Sequence, residues 1–341
     1  MRAQAAKPGT LNLALQGGGA HGAFTWGVLD ALLEDSTIEF EGVSGTSAGA
    51  MNALCLAHGL MTGGRDGARE TLARFWTSVA ASSPFAPSGE NGAGMSQALK
   101  LMLNWTHHLS PEQLNPFDLN PLRDILSEQF DFARLRRDAP LKLFIAAAHA
   151  NSGKLRLFRN GELSVDTLLA SACLPTIHRS IVIDGEPYWD GGYSANPAVF
   201  PLVWQCASPD ILLVLLTPLR YAETPTSAED IRQRLLELSF NSTFLREMRM
   251  FAHLRDEAGT SWLAKWLPGN RLARRLGQLR FHAITADALL GELPPGSKLA
   301  VNLPFFESLR DSGHAHAQNW LDGNRRKLGF QETPDLTKLF Y

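Results

Sequence analysis

One stretch near the N-terminus decides the fold: Glu41-Gly42-Val43-Ser44-Gly45-Thr46-Ser47-Ala48-Gly49-Ala50. A short apolar strand runs here into a serine flanked by glycines, and an alanine-rich helix follows. The spacing Gly-x-Ser-x-Gly is typical of a nucleophile elbow, a strained turn that folds only when Gly45 and Gly49 are small. We therefore expect Ser47 to project above a sheet as a nucleophile, at the positive end of the following helix.

A second strand-to-helix junction precedes this one. An apolar strand over residues 11–15 ends in Gln16-Gly17-Gly18-Gly19-Ala20-His21-Gly22, before a helical pattern over residues 23–34. Two successive strand–helix units predict parallel strands whose carboxyl ends share one edge, so the glycine run and Ser47 should meet there. The N–H groups of Gly17, Gly18 and Gly19 are candidate donors to an oxyanion, with Gly22 supporting the loop.

Composition excludes several classes of protein. The chain has 341 residues, 45% apolar content and a net charge of −2, which is typical of a globular protein without affinity for nucleic acid. Its three cysteines (Cys55, Cys173, Cys206) lie in apolar runs without metal-ligand spacing, so we expect buried thiols, no metal and no cofactor. The N-terminus lacks the apolar core of a signal peptide, and no apolar run is long enough to span a bilayer. A cytoplasmic location is therefore expected.

A serine hydroxyl is a poor nucleophile until a base takes its proton, so Ser47 needs a base nearby. The late histidines do not follow a strand in a glycine-rich loop; they are His253, His282, His314 and His316. Asp190 is the best-placed acid, because it follows an apolar strand and Gly191-Gly192 lets its loop turn sharply. Asp-Gly pairs are also common in plain turns, so a structural role for Asp190 stays open at this point.

Three motifs in order carry a family resemblance: Gly17 to Gly22, Gly45-Thr46-Ser47-Ala48-Gly49, and Asp190-Gly191-Gly192. Over residues 11–217 the chain resembles the patatin-like phospholipases, which are lipid acyl hydrolases. The resemblance implies an α/β fold of three layers, α/β/α, with a mostly parallel central sheet. It also implies a Ser47-Asp190 dyad, with the glycine loop as oxyanion hole and a phospholipase A or lysophospholipase type of activity.

Two details qualify this resemblance. His21 stands where the family usually carries Lys or Arg, which we expect to affect local charge and pH response more than the mechanism. An aspartate with an ordinary pKa near 4 is a weak base for an alcohol, so Asp190 is expected to act by orientation and electrostatics as much as by basicity.

The rest of the chain divides into segments that differ in amino-acid composition and pattern. Residues 1–10 are predicted to be a flexible tail, 11–217 the core, and 218–341 a mostly helical region packed on it. Residues 82–121 form a long excursion, either a cover over the site or a surface loop without a role. Residues 261–280 hold two tryptophans and five basic residues without an acid, which favours peripheral contact with an anionic membrane; the same residues could instead cover the core.

Two alternatives remain open on the sequence. Gly17, Gly19 and Gly22 also fit the G-x-G-x-x-G fingerprint of dinucleotide-binding proteins, with Glu39 or Glu41 as the ribose-binding acid. That acid belongs at the end of the second strand, whereas this strand runs on towards Ser47. The other alternative is a non-catalytic binding protein with a patatin-like fold.

Overall fold

The computed structural model describes residues 9–82, 109–221, 223–260, 271–294 and 296–340, which are organised around an eight-stranded sheet. The strands are β1 (Thr10–Leu15), β2 (Glu39–Thr46), β3 (Lys142–His149), β4 (Leu155–Arg159), β5 (Ile181–Ile183), β6 (Glu186–Asp190), β7 (Asp210–Leu215) and β8 (Arg280–Thr285). The α-helices are α1 (Gly22–Glu34), α2 (Ala48–Ala81), α3 (Pro111–Leu114), α4 (Pro121–Gln129), α5 (Phe132–Asp138), α6 (Val165–Ser171), α7 (Phe200–Gln205), α8 (Ala228–Thr260), α9 (Arg271–Gln278), α10 (Asp287–Gly291), α11 (Leu303–Asn324) and α12 (Leu336–Phe340).

The sheet is mixed and mostly parallel. Its strand order is β5-β6-β3-β2-β1-β7-β8, and β4 also pairs with β3. The neighbours from β3 through β2, β1 and β7 to β8 run parallel, while β4, β5 and β6 add an antiparallel part. This arrangement confirms the predicted α/β class.

Helices cover both faces of the sheet. Along β1, Leu11, Leu13 and Leu15 pack into one core cluster with α1, α2 and α11, while Ala14 faces the other cluster. That second cluster contains side chains of α7, α8, α9 and α12. Because successive side chains of a strand point to opposite faces, a strand buried on both sides is mostly apolar; the buried Asn12 of β1 donates from Nδ2 to the carbonyl oxygen of Ser208 at 2.9 Å. The predicted three-layer α/β/α architecture is confirmed.

The register of β3 brings the two candidate catalytic segments together. Thr46, the last residue of β2, pairs with Ala146, and Asp190, the last residue of β6, pairs with the next residue, Ala147. Ser47 therefore follows β2, and Asp190 ends β6, at the same level of the sheet on the two sides of β3. β1 neighbours β2, so the glycine run that follows β1 begins at the same edge.

The region after residue 217 adds a strand that the sequence analysis did not predict. β8 pairs in parallel with β7 over its whole length and extends the sheet. Its polar residues are anchored to β7, since Arg280 and His282 both bind the carboxylate of Asp210. No helix in the described ranges is long and apolar enough to cross a membrane.

Most of the predicted excursion over 82–121 lies outside the described residues, which resume at 109. Its described end forms α3 and a loop that Arg179 holds, donating from Nη2 to the carbonyl oxygens of Asn115 and Pro116 at 3.1 and 3.0 Å. Arg179 follows α6 in the chain and precedes the hairpin of β5 and β6. This end of the excursion is therefore attached close to the hairpin that delivers Asp190.

Candidate active site

Ser47 occupies the strained turn that its sequence predicts. It lies between β2 and α2 with φ 54° and ψ −122°, a conformation that is unfavourable for a residue with a side chain. Such strain costs about 1–3 kcal/mol and persists only where the surroundings enforce it. Gly45 and Gly49 allow the turn: a Cβ atom at Gly45 would lie 2.5 Å from the carbonyl oxygen of Gly49, and one at Gly49 would lie 2.2 Å from that of Leu15.

The last residue of α6 and the residues just after it hold both sides of the site, which sequence analysis missed. The Ser47 N–H group donates to Oγ of Ser171 at 3.0 Å, and the Asp190 N–H group donates to the carbonyl oxygen of Cys173 at 2.8 Å. The residues from Ala170 to Cys173 are all small. Their size lets this segment approach the elbow and the Asp190 strand at once.

Asp190 is a buried carboxyl group next to the serine. Asp190 is only 1% exposed, and its Oδ1 accepts a hydrogen bond from the Gly192 N–H group at 2.7 Å. Burial raises the pKa of Asp190 to about 7, although the hydrogen bonds from Gly192 and the Ser47 side chain favour the charged form. The expectation of an ordinary pKa near 4 is therefore wrong. A carboxylate with a pKa near neutrality is better matched to general-base catalysis.

The raised pKa predicts two opposite dependences on pH. Activity that needs ionised Asp190 should rise with pH, with half of its maximum near pH 7. Stability should change in the other direction: between about pH 4 and 7 the folded protein keeps a proton that the unfolded chain releases, so this group's contribution falls as pH rises.

The free energy of unfolding of Asp190→Asn should therefore rise relative to that of the wild type by about 2.5 kcal/mol when the pH is raised from 5 to 8. Urea unfolding of both proteins at the two pH values measures this. The comparison with the wild type is essential, because burial also raises the pKa of Glu247 to about 7. A difference between the two proteins that stays the same at both pH values would contradict the raised pKa.

The glycine loop lies directly against the serine. A Cβ atom at Gly17 would sit 2.8 Å from Cβ of Ser47 and 2.7 Å from the carbonyl oxygen of Thr46. The Gly17 N–H group, however, already donates to Oδ1 of Asn196 at 2.7 Å. Within the described residues, no acceptor meets the N–H groups of Gly18 and Gly19. Of the three predicted oxyanion donors, Gly18 and Gly19 are therefore the two whose N–H groups have no acceptor in the described part of the chain.

Asn196 is a buried residue at the candidate site that sequence analysis missed. It is 2% exposed and follows Asp190 by one short turn. Besides holding Gly17 through its side chain, it accepts a hydrogen bond from Nε2 of Gln16 on its carbonyl oxygen, at 3.2 Å. The neighbouring Ala195 carbonyl oxygen accepts from Oγ1 of Thr46 at 2.8 Å. One short segment therefore joins the glycine loop, the elbow strand and the Asp190 loop.

Removing the Asn196 side chain should loosen this junction. Asn196→Ala leaves the buried Gly17 N–H group without an acceptor, which costs about 1–3 kcal/mol of the free energy of unfolding. We expect kcat to fall at least about tenfold with a smaller change in KM, because the oxyanion donors lose their position.

Asn196→Asp is the matched variant, since it keeps an oxygen that can accept from Gly17. It should retain more activity than Asn196→Ala when both are measured with a soluble ester. Equal kcat values for Asn196→Ala and the wild type would contradict the positioning role.

His21 is neutral in this fold. Burial and, to a smaller extent, the positive charge of Lys298 together lower its pKa to about 3, and its Nε2 is 2.8 Å from Oγ of Ser297. The expected influence of His21 on the pH response near neutrality is therefore not supported. The position connects the glycine loop to residues 297–298 rather than supplying a positive charge.

The remaining predicted glycines mark close contacts around the site. A Cβ atom at Gly22 would meet Cβ of Ala48 at 2.6 Å, and one at Gly191 would meet the carbonyl oxygen of Ala146 at 2.3 Å. At Gly192 it would meet the Phe240 ring of α8 at 2.2 Å. Each glycine therefore lets one site segment approach another element.

Two of the late histidines bind other carboxylates. His282 is buried against Asp210 at 3.0 Å, and Nε2 of His314 lies 3.2 Å from Oε2 of Glu34. His316 bonds to the carbonyl oxygen of Ser312 within its own helix. These contacts engage ring nitrogens away from Ser47, which favours the carboxylate as its partner.

The acids of the dinucleotide alternative lie at the wrong end of β2. Glu39 and Glu41 are at its beginning, whereas the ribose-binding acid belongs at its carboxyl end. Glu41 accepts hydrogen bonds from the N–H groups of Ala207 and Ser208 and pairs with Lys142. Glu41 therefore has a structural role.

Three comparisons relate the chain to known proteins. No curated protein sequence matches the chain. VipD from Legionella pneumophila is a structural neighbour at 16% identity and a TM-score of 0.37, with 93% of this chain and 67% of VipD covered. The type III effector ExoU is another, at 15% identity and a TM-score of 0.31, with 93% of this chain and 54% of ExoU covered. The family model of the patatin-like phospholipases matches residues 13–203. Because that match spans more than half of the chain, this protein belongs to the patatin-like phospholipase family of ester-hydrolysing enzymes.

Proposed function

We propose that this lipid acyl hydrolase cleaves carboxylic ester bonds by a phospholipase A or lysophospholipase type of reaction, through a Ser47-Asp190 dyad. The observation that carries the proposal is the register of β3: Ala146 pairs with Thr46, the residue before Ser47, on one side, and the adjacent Ala147 pairs with Asp190 on the other. The strained backbone of Ser47 and the burial of Asp190 support it. Acyl transfer needs a nucleophile and a base that lie close together, and Ser47 and Asp190 are residue types that can fill these two roles.

The reaction then proceeds in two steps. Asp190 accepts the hydroxyl proton while Oγ of Ser47 bonds to the ester carbonyl carbon, and the N–H groups of Gly18 and Gly19 donate to the oxyanion. The leaving alcohol takes the proton from Asp190, which leaves an acyl-serine. Water next gives its proton to Asp190 and attacks the acyl carbon, so that the carboxylic acid leaves and Ser47 regains its proton.

A panel of acyl esters tests the proposal. Wild type and Ser47→Ala are compared on phospholipids, lysophospholipids and neutral esters of increasing chain length, with free fatty acid as the measured product. The proposal predicts Ser47-dependent release of fatty acid from phospholipid or lysophospholipid. Release that is equal in the two proteins, or confined to neutral esters, would contradict it.

We also propose peripheral membrane contact through residues 261–280. Two of its arginines are engaged inside the protein: Arg275 binds backbone carbonyl oxygens of residues 203–208, and Arg280 binds Asp210. The contact must therefore come from the part before Arg275, where residues 261–270 lie outside the described ranges. Co-sedimentation with anionic vesicles that is unchanged in Arg271→Gln/Arg274→Gln would count against this proposal.

A further inference from the structure

The long helix α8 contacts both loops of the candidate site. Phe240 packs on Tyr193, with ring centroids 4.6 Å apart, immediately after the loop of Asp190. Oδ1 of Asn241 accepts a hydrogen bond from Nε2 of Gln16 at 3.2 Å, immediately before the glycine loop. The side of α8 that carries these two residues therefore faces the site.

The other side of the same helix is apolar and exposed. Ile231, Leu235 and Leu238 recur at the spacing that places side chains on one helix face, and Leu236 lies beside them. These four side chains are between 41% and 59% exposed. Helices that cover a globular core normally carry polar residues on their outer face. An outer face built from large aliphatic residues marks an interaction surface.

The charged residues of α8 indicate which kind of partner this surface binds. The only acids between residues 231 and 254 are Glu237 and Glu247, and both bind protein groups. Glu237 accepts from the Tyr221 hydroxyl and pairs with Lys298, while Glu247 accepts from the Val199 and Phe200 N–H groups. The exposed Arg232 and Arg246 have no carboxylate partner among the described residues. Between residues 231 and 254 the outer face therefore combines aliphatic side chains with positive charge, while the exposed carboxylate of Asp230, at the start of α8, accepts a hydrogen bond from Oγ of Ser227.

We propose that this face of α8, formed by Ile231, Leu235, Leu236 and Leu238 with Arg232 and Arg246, docks on an anionic phospholipid bilayer. Aliphatic side chains enter the boundary between headgroups and acyl chains, and arginines pair with lipid phosphates. Since one helix separates the bilayer from Tyr193 and Gln16, docking brings the candidate site within about 10 Å of the lipid. This inference rests on the proposed lipid hydrolase function, because it supplies the surface from which such an enzyme takes its substrate.

The test is co-sedimentation with vesicles of phosphatidylcholine, with and without phosphatidylglycerol. Every protein carries Ser47→Ala, so binding is measured without hydrolysis, and a failure of the hydrolase proposal does not affect the result. Leu235→Glu/Leu238→Glu should lower binding to the mixed vesicles at least about tenfold. Phe330→Glu is the matched control, since Phe330 is 78% exposed and lies outside α8; it should bind like the parent.

A second variant tests the charge. Arg232→Gln/Arg246→Gln should weaken binding to the mixed vesicles but not to phosphatidylcholine alone, and it keeps the proposal testable if the double glutamate variant does not fold. Thermal unfolding shows which variants fold.

Two results would overturn the proposal. One is equal vesicle binding by Leu235→Glu/Leu238→Glu and Phe330→Glu. The other is a dimer in sedimentation velocity that Leu235→Glu/Leu238→Glu dissociates, because a second copy would then cover this face.

Discussion

Replacing Asp190 by asparagine is expected to lower kcat for ester hydrolysis by about 10⁴-fold, because the amide keeps the shape of the carboxyl group but takes no proton from Ser47. Ser47→Ala removes the nucleophile and should lower kcat at least as far. Since both residues act on one proton, the double variant should be no less active than the worse single variant.

Initial rates with a soluble ester at pH 8 measure these effects, at a pH where Asp190 is mostly ionised. His314→Ala is the control, because that side chain binds Glu34 and should be dispensable for catalysis. An Asp190→Asn enzyme that keeps most of the wild-type rate would refute the dyad, as would a His314→Ala enzyme that folds normally and loses its rate.

Gly17→Ala is expected to lower kcat by about 100- to 1000-fold, comparable with the loss of an oxyanion donor. The new Cβ atom would lie 2.8 Å from Cβ of Ser47 and 3.1 Å from Oδ1 of Asn196, so the loop or the serine must move. A displacement of about 1 Å at a reacting group is enough for a loss of about 100-fold. The methyl group removes no side chain, so the effect would come from position alone.

Gly161→Ala is the matched substitution, since a Cβ atom there meets nothing within 4 Å. Both variants are compared by kcat and by thermal unfolding. A Gly17→Ala protein with wild-type kcat would show that the glycine loop does not need to touch the serine.

Local patterns were enough to predict the core of the fold and the backbone turns at Ser47 and Asp190. Gly45 and Gly49 around Ser47 predict the strained turn, because the steric requirement of an elbow involves neighbouring residues. The glycines after Asp190 likewise predict its sharp loop. These are short-range constraints, and they can be recognised before any tertiary contact is known.

Partners distant in sequence could not be predicted in this way. Asn196 binds Gly17 across 179 residues, and Ser171 binds Ser47 across 124. Asn196 precedes a proline, and Ser171 lies among small residues. Neither local pattern predicts such a contact. The sheet brings them together through both its parallel and its antiparallel strand pairs.

Burial explains two further differences. The pKa values of Asp190 and His21 are shifted in opposite directions because desolvation penalises the charged form of each, and the exposure of a side chain is a property of the tertiary structure.

β8 was missed because Arg280 and His282 interrupt its apolar pattern; their partner, Asp210, is 70 or more residues away in sequence.

The most direct measurement of the central claim is the site of modification by an alkyl fluorophosphonate, located by peptide mass spectrometry after trapping the active enzyme. The account predicts one adduct, on Ser47, which forms in the wild type and far more slowly in Asp190→Asn. A wild-type enzyme that hydrolyses esters while Ser47 remains unmodified and another residue carries the adduct would contradict it.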